Sequence, residues 1–229
     1  MSLSVLYEDN HLIIINKPVG ALVQGDRTGD LPISETVKEF IKEKYNKPGD
    51  VFLGIIHRLD RPVSGLVIFA RTSKALARMN QLFKDQLVKK TYWAVVQNPP
   101  HPIKGTIKTY TIKDRKVLKA RMYDQLVKNS KECVLDYEVI QQSDRYYLVN
   151  VTPHTGRYHQ IRAQLAHIGS PIKGDLKYGA KRSNPNSGIH LHARGLEFIH
   201  PVKGESIQII APVPTDDHLW QEFESAHTK

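Results

Sequence analysis

The chain of 229 residues has a single cysteine, Cys133, only 8% aromatic residues, and no apolar run long enough to cross a bilayer. One thiol cannot form an internal disulfide, which fits a reducing compartment and a buried, inert side chain. Near the N-terminus the longest apolar run is Leu12 to Ile15, too short for a signal-peptide core or a membrane span. The expected location is the cytoplasm. A GxxxxGK phosphate loop and a GxGxxG turn after a strand are also missing, so nucleoside triphosphate and dinucleotide chemistry have no cradle. No paired-cysteine zinc pattern occurs. His190 and His192 would share one side of a strand, but no carboxylate or thiolate stands beside them at ligand spacing. Acid is scarce as well: 23 Asp plus Glu face 33 Lys plus Arg, a formal net charge of +10. Such an excess favours a polyanion held through phosphate contacts and counterion release, with nucleic acid ahead of an anionic membrane surface. No basic amphipathic helix or lipidation signal supports the membrane.

What is present reads as strands interrupted irregularly by helices. VLYEDNHLIIINKPVG has two apolar segments around Glu8, Asp9 and Asn10, a hairpin ending at Lys17-Pro18. Ser34 is expected to cap a helix carrying Val37, Phe40, Ile41 and Tyr45. Ser73 is expected to cap a second with Leu76, Met79, Phe83 and Leu87 on one stripe. KKTYWAVVQ has the β-branched and aromatic content of a strand. From Gly105 to Val151 alternating segments predict antiparallel strands, one hairpin edge being basic through Lys113, Arg115, Lys116, Lys119 and Arg121. HQIRAQLAHIG predicts a helix stopped by Gly169, strands follow at 189–193 and 206–211, and a last helix with Leu219, Trp220 and Phe223 starts from a Thr215 cap. The fold class is α+β with a mainly antiparallel sheet, in a single domain spanning 1–229.

Three segments carry the chemistry. In HRLDRPVSGL, residues 57–66, Asp60 stands between Arg58 and Arg61 on a loop joining two apolar runs. There it reads either as an active-site acid at a sheet end or as a surface ion pair with its neighbours. Val63-Ser64-Gly65 lacks the GxSxG elbow of a serine hydrolase, and a glycosidase would need a second positioned carboxylate. In TPHTGRYHQIRAQ, Arg157, His159, Gln160 and Arg162 lie at or near a helix start, where unpaired N–H groups suit phosphate. Arg162 sits about 60° from Leu165 on that helix, at the flank of its apolar stripe, and needs an anionic partner: Asp60 or a structural acid elsewhere. In KTYWA, Tyr92 and Trp93 must point to opposite faces of a strand, so at most one of them stacks on a base.

Taken together, YEDNHLIIINKPVG, HRLDRPVSGL, KTYWAVV, TGRYHQIRAQLAHIGSPIKGD and LHARGLEFIHP resemble the RNA pseudouridine synthases of the RluA type, in order and over nearly the whole chain. The resemblance implies a curved, mainly antiparallel sheet with flanking helices, a central catalytic cleft, no metal and no organic cofactor. It implies Asp60 as the catalytic aspartate, Tyr92 as the tyrosine stacked on the target base and Arg162 as the partner of the aspartate. Arg58 and Arg61 would open the RNA or hold its backbone, and Lys17, Arg157, His159, Gln160 and His192 complete the expected substrate-binding set. Pro62-Val63 departs from the acidic or polar residue and threonine that many members carry. The small N-terminal S4-type domain of many relatives is also expected to be absent. The implied function is isomerisation of uridine in a structured ribosomal or transfer RNA by a monomer, with a noncatalytic RNA-binding protein on the same fold as the rival.

Overall fold

The computed structural model describes residues 3–26 and 28–227. In chain order they form β1 (Val5–Glu8), β2 (Leu12–Lys17), α1 (Ile33–Lys44), β3 (Gly54–Ile55), β4 (Ser64–Ala70), α2 (Ser73–Lys84) and β5 (Lys89–Val96). There follow β6 (Lys104–Asp114), β7 (Lys119–Tyr123), β8 (Lys131–Gln142), β9 (Tyr147–Pro153), α3 (Gln160–His167), a 3₁₀ turn (Leu176–Tyr178), β10 (Leu191–Ile199), β11 (Ser206–Ile210) and α4 (His218–His227). Two compact units result: residues up to Lys89 with Ala193–Pro214, and Lys90–His192 with the residues from Thr215 onward. Among the described residues no helix is long and apolar enough to cross a membrane.

In the first unit β2 and β4 pair antiparallel from Leu12↔Ala70 to Lys17↔Gly65. Leu12 to Ile15 and Leu66 to Ala70 are all buried, which is why both strands read as unbroken apolar runs without alternation. β1 closes on β2 through a turn in which Asp9 Oδ1 accepts from the N–H groups of His11 and Leu12, each at 2.8 Å. The helix starts differ from the sequence expectation by one or two residues. α1 has no side-chain cap; the Leu22 carbonyl accepts the Ile33 N–H at 2.7 Å, and Ser34 is buried. α2 is capped by Thr72, whose Oγ1 accepts from Ala75 N, not by Ser73. Val37 and Ile41 on α1 and Ala75 and Met79 on α2 supply the buried stripes. Leu87, expected on the second stripe, lies beyond the helix end and is exposed.

Gly65 shows how little slack this layer has. Its φ is +110°, and a Cβ there would overlap the Ala193 backbone of β10. Gly65→Ala is therefore expected to lower stability by about 2 kcal/mol or more, read from the denaturant midpoint.

The second unit has the strand order β5-β9-β8-β6-β7. Its pairs are antiparallel, as expected, and β7 forms the charged edge. α3 lies on one face, anchored by the buried Gln164, whose Nε2 donates to the Ile107 carbonyl, the Thr109 hydroxyl and the Cys133 carbonyl. Cys133 is fully buried, and burial pushes its thiol up to about 11. α4 begins two residues later than a Thr215 cap implies, because Asp217 Oδ1 accepts from Leu219 N and Trp220 N. Asp217 also meets His190 Nε2 at 3.1 Å, while Asn184 Nδ2 bonds His190 Nδ1 at 2.9 Å and Trp220 stacks on the ring. Both imidazole nitrogens are thereby engaged within the fold.

Candidate active site

Asp60 lies on the loop between β3 and β4, the strand, loop, strand arrangement expected of HRLDRPVSGL. Leu59 and Val63 are buried and pin the loop on either side, so Asp60 is left half-buried while Arg58 and Arg61 are exposed. The Asp60 carbonyl accepts Val63 N at 3.0 Å and the Arg61 carbonyl accepts Gly20 N at 2.9 Å. His57 fixes the other end: its Nε2 accepts Ile68 N at 3.1 Å, and its ring stacks on Phe83. The flanking arginines turn to other partners. Arg61 pairs with Asp30 at 2.7 Å and Arg58 donates to Gln24, which removes the reading in which they serve only as ion-pair partners of Asp60.

Lys17 enters the same loop from below. Its side chain is completely buried, and Nζ donates to the carbonyls of Pro18 and Ala21 at 2.9 Å and of Arg61 at 3.3 Å. Burial pulls its ammonium down to about 7, with the nearby Asp60 carboxylate pushing it back up. The place of Lys17 in the expected substrate-binding set is thus corrected: a wholly enclosed amine bonded to three carbonyls cannot reach RNA.

In the second unit Tyr92 is half-buried and Trp93 is buried, on opposite sides of β5 as the strand period requires. Tyr92 stands opposite Val151, which in turn pairs with Tyr137. Arg162 on α3 is buried, and Asp175 holds it by a fork, Nε to Oδ2 at 2.7 Å and Nη2 to Oδ1 at 2.9 Å. The Tyr178 ring lies 5.2 Å from the guanidinium carbon. Gly174 makes this turn possible: its φ is +88°, and a Cβ there would strike the Asn184 side chain. Asp175 and Tyr178 were not singled out from the sequence. Their signal was present in GDLKYG, residues 174–179, an acid and an aromatic between two turn glycines, following in the chain a buried arginine, Arg162, that required an anion.

The remaining expected contacts divide. Gln160 is buried, its Oε1 accepting from the Thr155 hydroxyl and Arg157 N and its Nε2 donating to the Val134 carbonyl, so it clamps the helix start and does not face RNA. His192 is also fully buried, 5.9 Å from the Trp220 ring, which corrects its assignment as a substrate contact. His159 precedes α3 in the left-handed region at φ +52°, stacked on Tyr158, with Nδ1 2.9 Å from the Tyr178 hydroxyl. That hydroxyl also accepts Ala120 N, and burial pushes it up to about 12. Arg157 is exposed, with Nε on the Glu132 carbonyl. The structure thus brings Lys17 and Arg61 to the Asp60 loop in one unit, and gathers Arg157, His159, Gln160 and Arg162 at α3 in the other.

Residues 11–167, which contain Asp60, Tyr92 and Arg162, match the family model described as RNA pseudouridylate synthase. The chain belongs to the RNA pseudouridylate synthase family. This pseudouridylate synthase is 34% identical over 240 residues to the tRNA pseudouridine synthase C of Haemophilus influenzae, covering 96% of each chain. It is 32% identical over 221 residues to the ribosomal large subunit pseudouridine synthase C of Buchnera aphidicola from Acyrthosiphon pisum, covering 93% of this chain and 67% of the other. The fold is that of the solved human RNA pseudouridylate synthase domain containing 4, with a TM-score of 0.80 at 24% identity over 96% of this chain and 92% of that one. The pseudouridylate synthase is accordingly an isomerase acting on RNA, with the α+β fold expected from the sequence.

Proposed function

We propose that this enzyme isomerises a uridine in a transfer RNA stem-loop, with Asp60 as the essential carboxylate, Tyr92 against the target base and Arg162 as the cation that orients Asp60. Support for the substrate class comes from the relative of matching length, named for tRNA; a ribosomal RNA target is the other outcome of the test. The observation that carries the site reading is the Asp60 loop itself, a half-buried carboxylate fixed between buried neighbours while its arginines turn elsewhere.

The chemistry suits these groups. The N1–C1′ bond breaks, the base turns, C5 joins C1′, and C5 loses a proton while N1 gains one, so no atom is added from outside. Ionised Asp60 either attacks C1′ or removes a sugar proton to give a glycal. The target must leave its stack to reach such a carboxylate, and the half-buried Tyr92 ring offers a face for it. Arg58, Arg61 and Arg157, all exposed, are proposed to hold flanking phosphates, with His159 placing Tyr178 and the α3 start. The enzyme is proposed to work as a cytoplasmic monomer. Mapping pseudouridine in tRNA and rRNA from a strain lacking the gene tests the target: loss of one tRNA site supports the reading, and loss only in rRNA replaces it.

The hairpin of β6 and β7 presents Arg115 and Lys116 to solvent. If they meet RNA phosphates, Arg115→Gln/Lys116→Gln is expected to reduce the slope of log K against log salt by about 1 to 2 while leaving kcat unchanged. An unchanged slope would remove the hairpin from the RNA interface.

A further inference from the structure

We propose that Tyr178 is a positioning residue for the reaction, holding the Arg162 guanidinium in one plane and anchoring it to the edge strand of the second unit's sheet. The proposal rests on the reading of Arg162 as a cation that the reaction uses. Gly174 and Gly179, at φ +88° and +102°, bracket a single 3₁₀ turn. Side chains three residues apart on such a turn eclipse one another, so Asp175 at its start and Tyr178 at its end face the same way. The Tyr178 N–H closes the turn on the Asp175 carbonyl at 3.0 Å. Both side chains reach Arg162: the carboxylate takes the Nε and Nη2 edge, and the ring lies 5.2 Å from the guanidinium carbon. A fork alone leaves a guanidinium able to rock about the line to its carboxylate. An aromatic ring against the carbon stops that motion and adds a cation–π attraction.

The ring is fixed in turn from β7. Its hydroxyl accepts Ala120 N at 2.8 Å, with His159 Nδ1 2.9 Å away. β7 is the last strand of its sheet, so a buried N–H at Ala120 depends on an acceptor from outside the sheet, and the Tyr178 hydroxyl is that acceptor. Lys119 Nζ lies 5.0 Å from the same ring, and Ala120, Ala163 and Tyr178 form one buried cluster. A second tie runs alongside: the Leu118 carbonyl, in the β6–β7 turn, accepts from the Tyr158 hydroxyl at 3.1 Å and from Lys177 Nζ at 3.2 Å. The hairpin is thereby joined to both elements that hold Arg162, the helix α3 and the 3₁₀ turn. The Arg115 and Lys116 side chains of the same hairpin face solvent and take no part in these ties, so grip on RNA and placement of the arginine fall to different residues.

The test measures single-turnover tritium release from C5-labelled total RNA of a strain lacking the gene. Enzyme concentration is varied to separate the limiting rate from half-saturation, with thermal melting alongside. Tyr178→Leu removes both ring and hydroxyl and is expected to slow the limiting rate by ~10²-fold, with half-saturation within about twofold of wild type. Tyr178→Phe keeps the ring and is expected to regain most of that loss, remaining about fivefold slow. The deciding comparison places Tyr178→Leu in the variant Arg162→Met/Asp175→Leu, which has no guanidinium to position. There a further loss of less than about threefold is expected, because effects that pass through one group do not add. A further loss of about tenfold or more would overturn the proposal, since Tyr178 would then act apart from Arg162. So would an unchanged limiting rate in Tyr178→Leu, or failure of both single variants to melt cooperatively, which would assign Tyr178 to folding. Full activity in Arg162→Met/Asp175→Leu would instead reject the reading of Arg162 itself, a result separate from any of these.

Discussion

Asp60→Ala is expected to abolish tritium release from C5-labelled RNA, with a rate loss of at least ~10³-fold, about 4 kcal/mol of transition-state stabilisation. Asp60→Asn is expected to behave alike, because an amide keeps the shape but can neither attack C1′ nor take a sugar proton. RNA affinity should change little, since the exposed arginines and lysines are left in place. Release within tenfold of wild type in either variant would reject Asp60 as the essential group. A second readout follows from Lys17. Its ordinary value is 10.5, and in the folded protein it lies near 7, so between these values the unfolded chain binds more protons and stability rises with pH. Asp60 holds the folded value up, and removing its charge lowers it further. The rising part of the stability curve in Asp60→Ala therefore begins below pH 7, which melting temperatures from pH 5 to 9 would show.

The parts legible in the sequence were those where one local rule dominates. The apolar runs Leu12 to Ile15 and Leu66 to Ala70 gave buried strands, and strict alternation at Tyr92 and Trp93 separated a half-buried face from a core face. Helix starts slipped wherever a tertiary group took over the capping role, as the Leu22 carbonyl does for α1 and Asp217 does for α4. Site residues divided by the same logic. Asp60, an acid between two arginines on a loop, was open to two readings from its own segment, and only the resemblance carried by all five segments together implied a role for it. Lys17, Gln160 and His192 were misread because residue type alone does not report burial, and each spends its polar atoms or its volume inside the fold. Asp175 was missed for the converse reason: a lone aspartate among turn glycines looks solvated until the arginine that needs it is seen in three dimensions.

That pair carries the largest expected effect on stability. Arg162 and Asp175 are both almost fully enclosed, so removing one leaves the other as an uncompensated buried charge. Arg162→Met and Asp175→Ala are each expected to lose about 3–5 kcal/mol of unfolding free energy, measured by denaturant titration at pH 7. The double variant Arg162→Met/Asp175→Leu replaces both charges with apolar volume and is expected to recover most of that loss, since a buried ion pair is often matched in stability by well-packed hydrophobic residues. Activity should not follow. If Arg162 orients Asp60, the double variant folds and remains at least ~10²-fold slower in tritium release, because the cation has gone even though the packing has returned. Recovery of both stability and activity would confine Arg162 to the fold. A double variant as unstable as the singles would show that Asp175 balances something other than Arg162. Stability and rate, which change together in each single variant, are separated only in the double, and that separation distinguishes an arginine kept for the reaction from one kept for its ion pair.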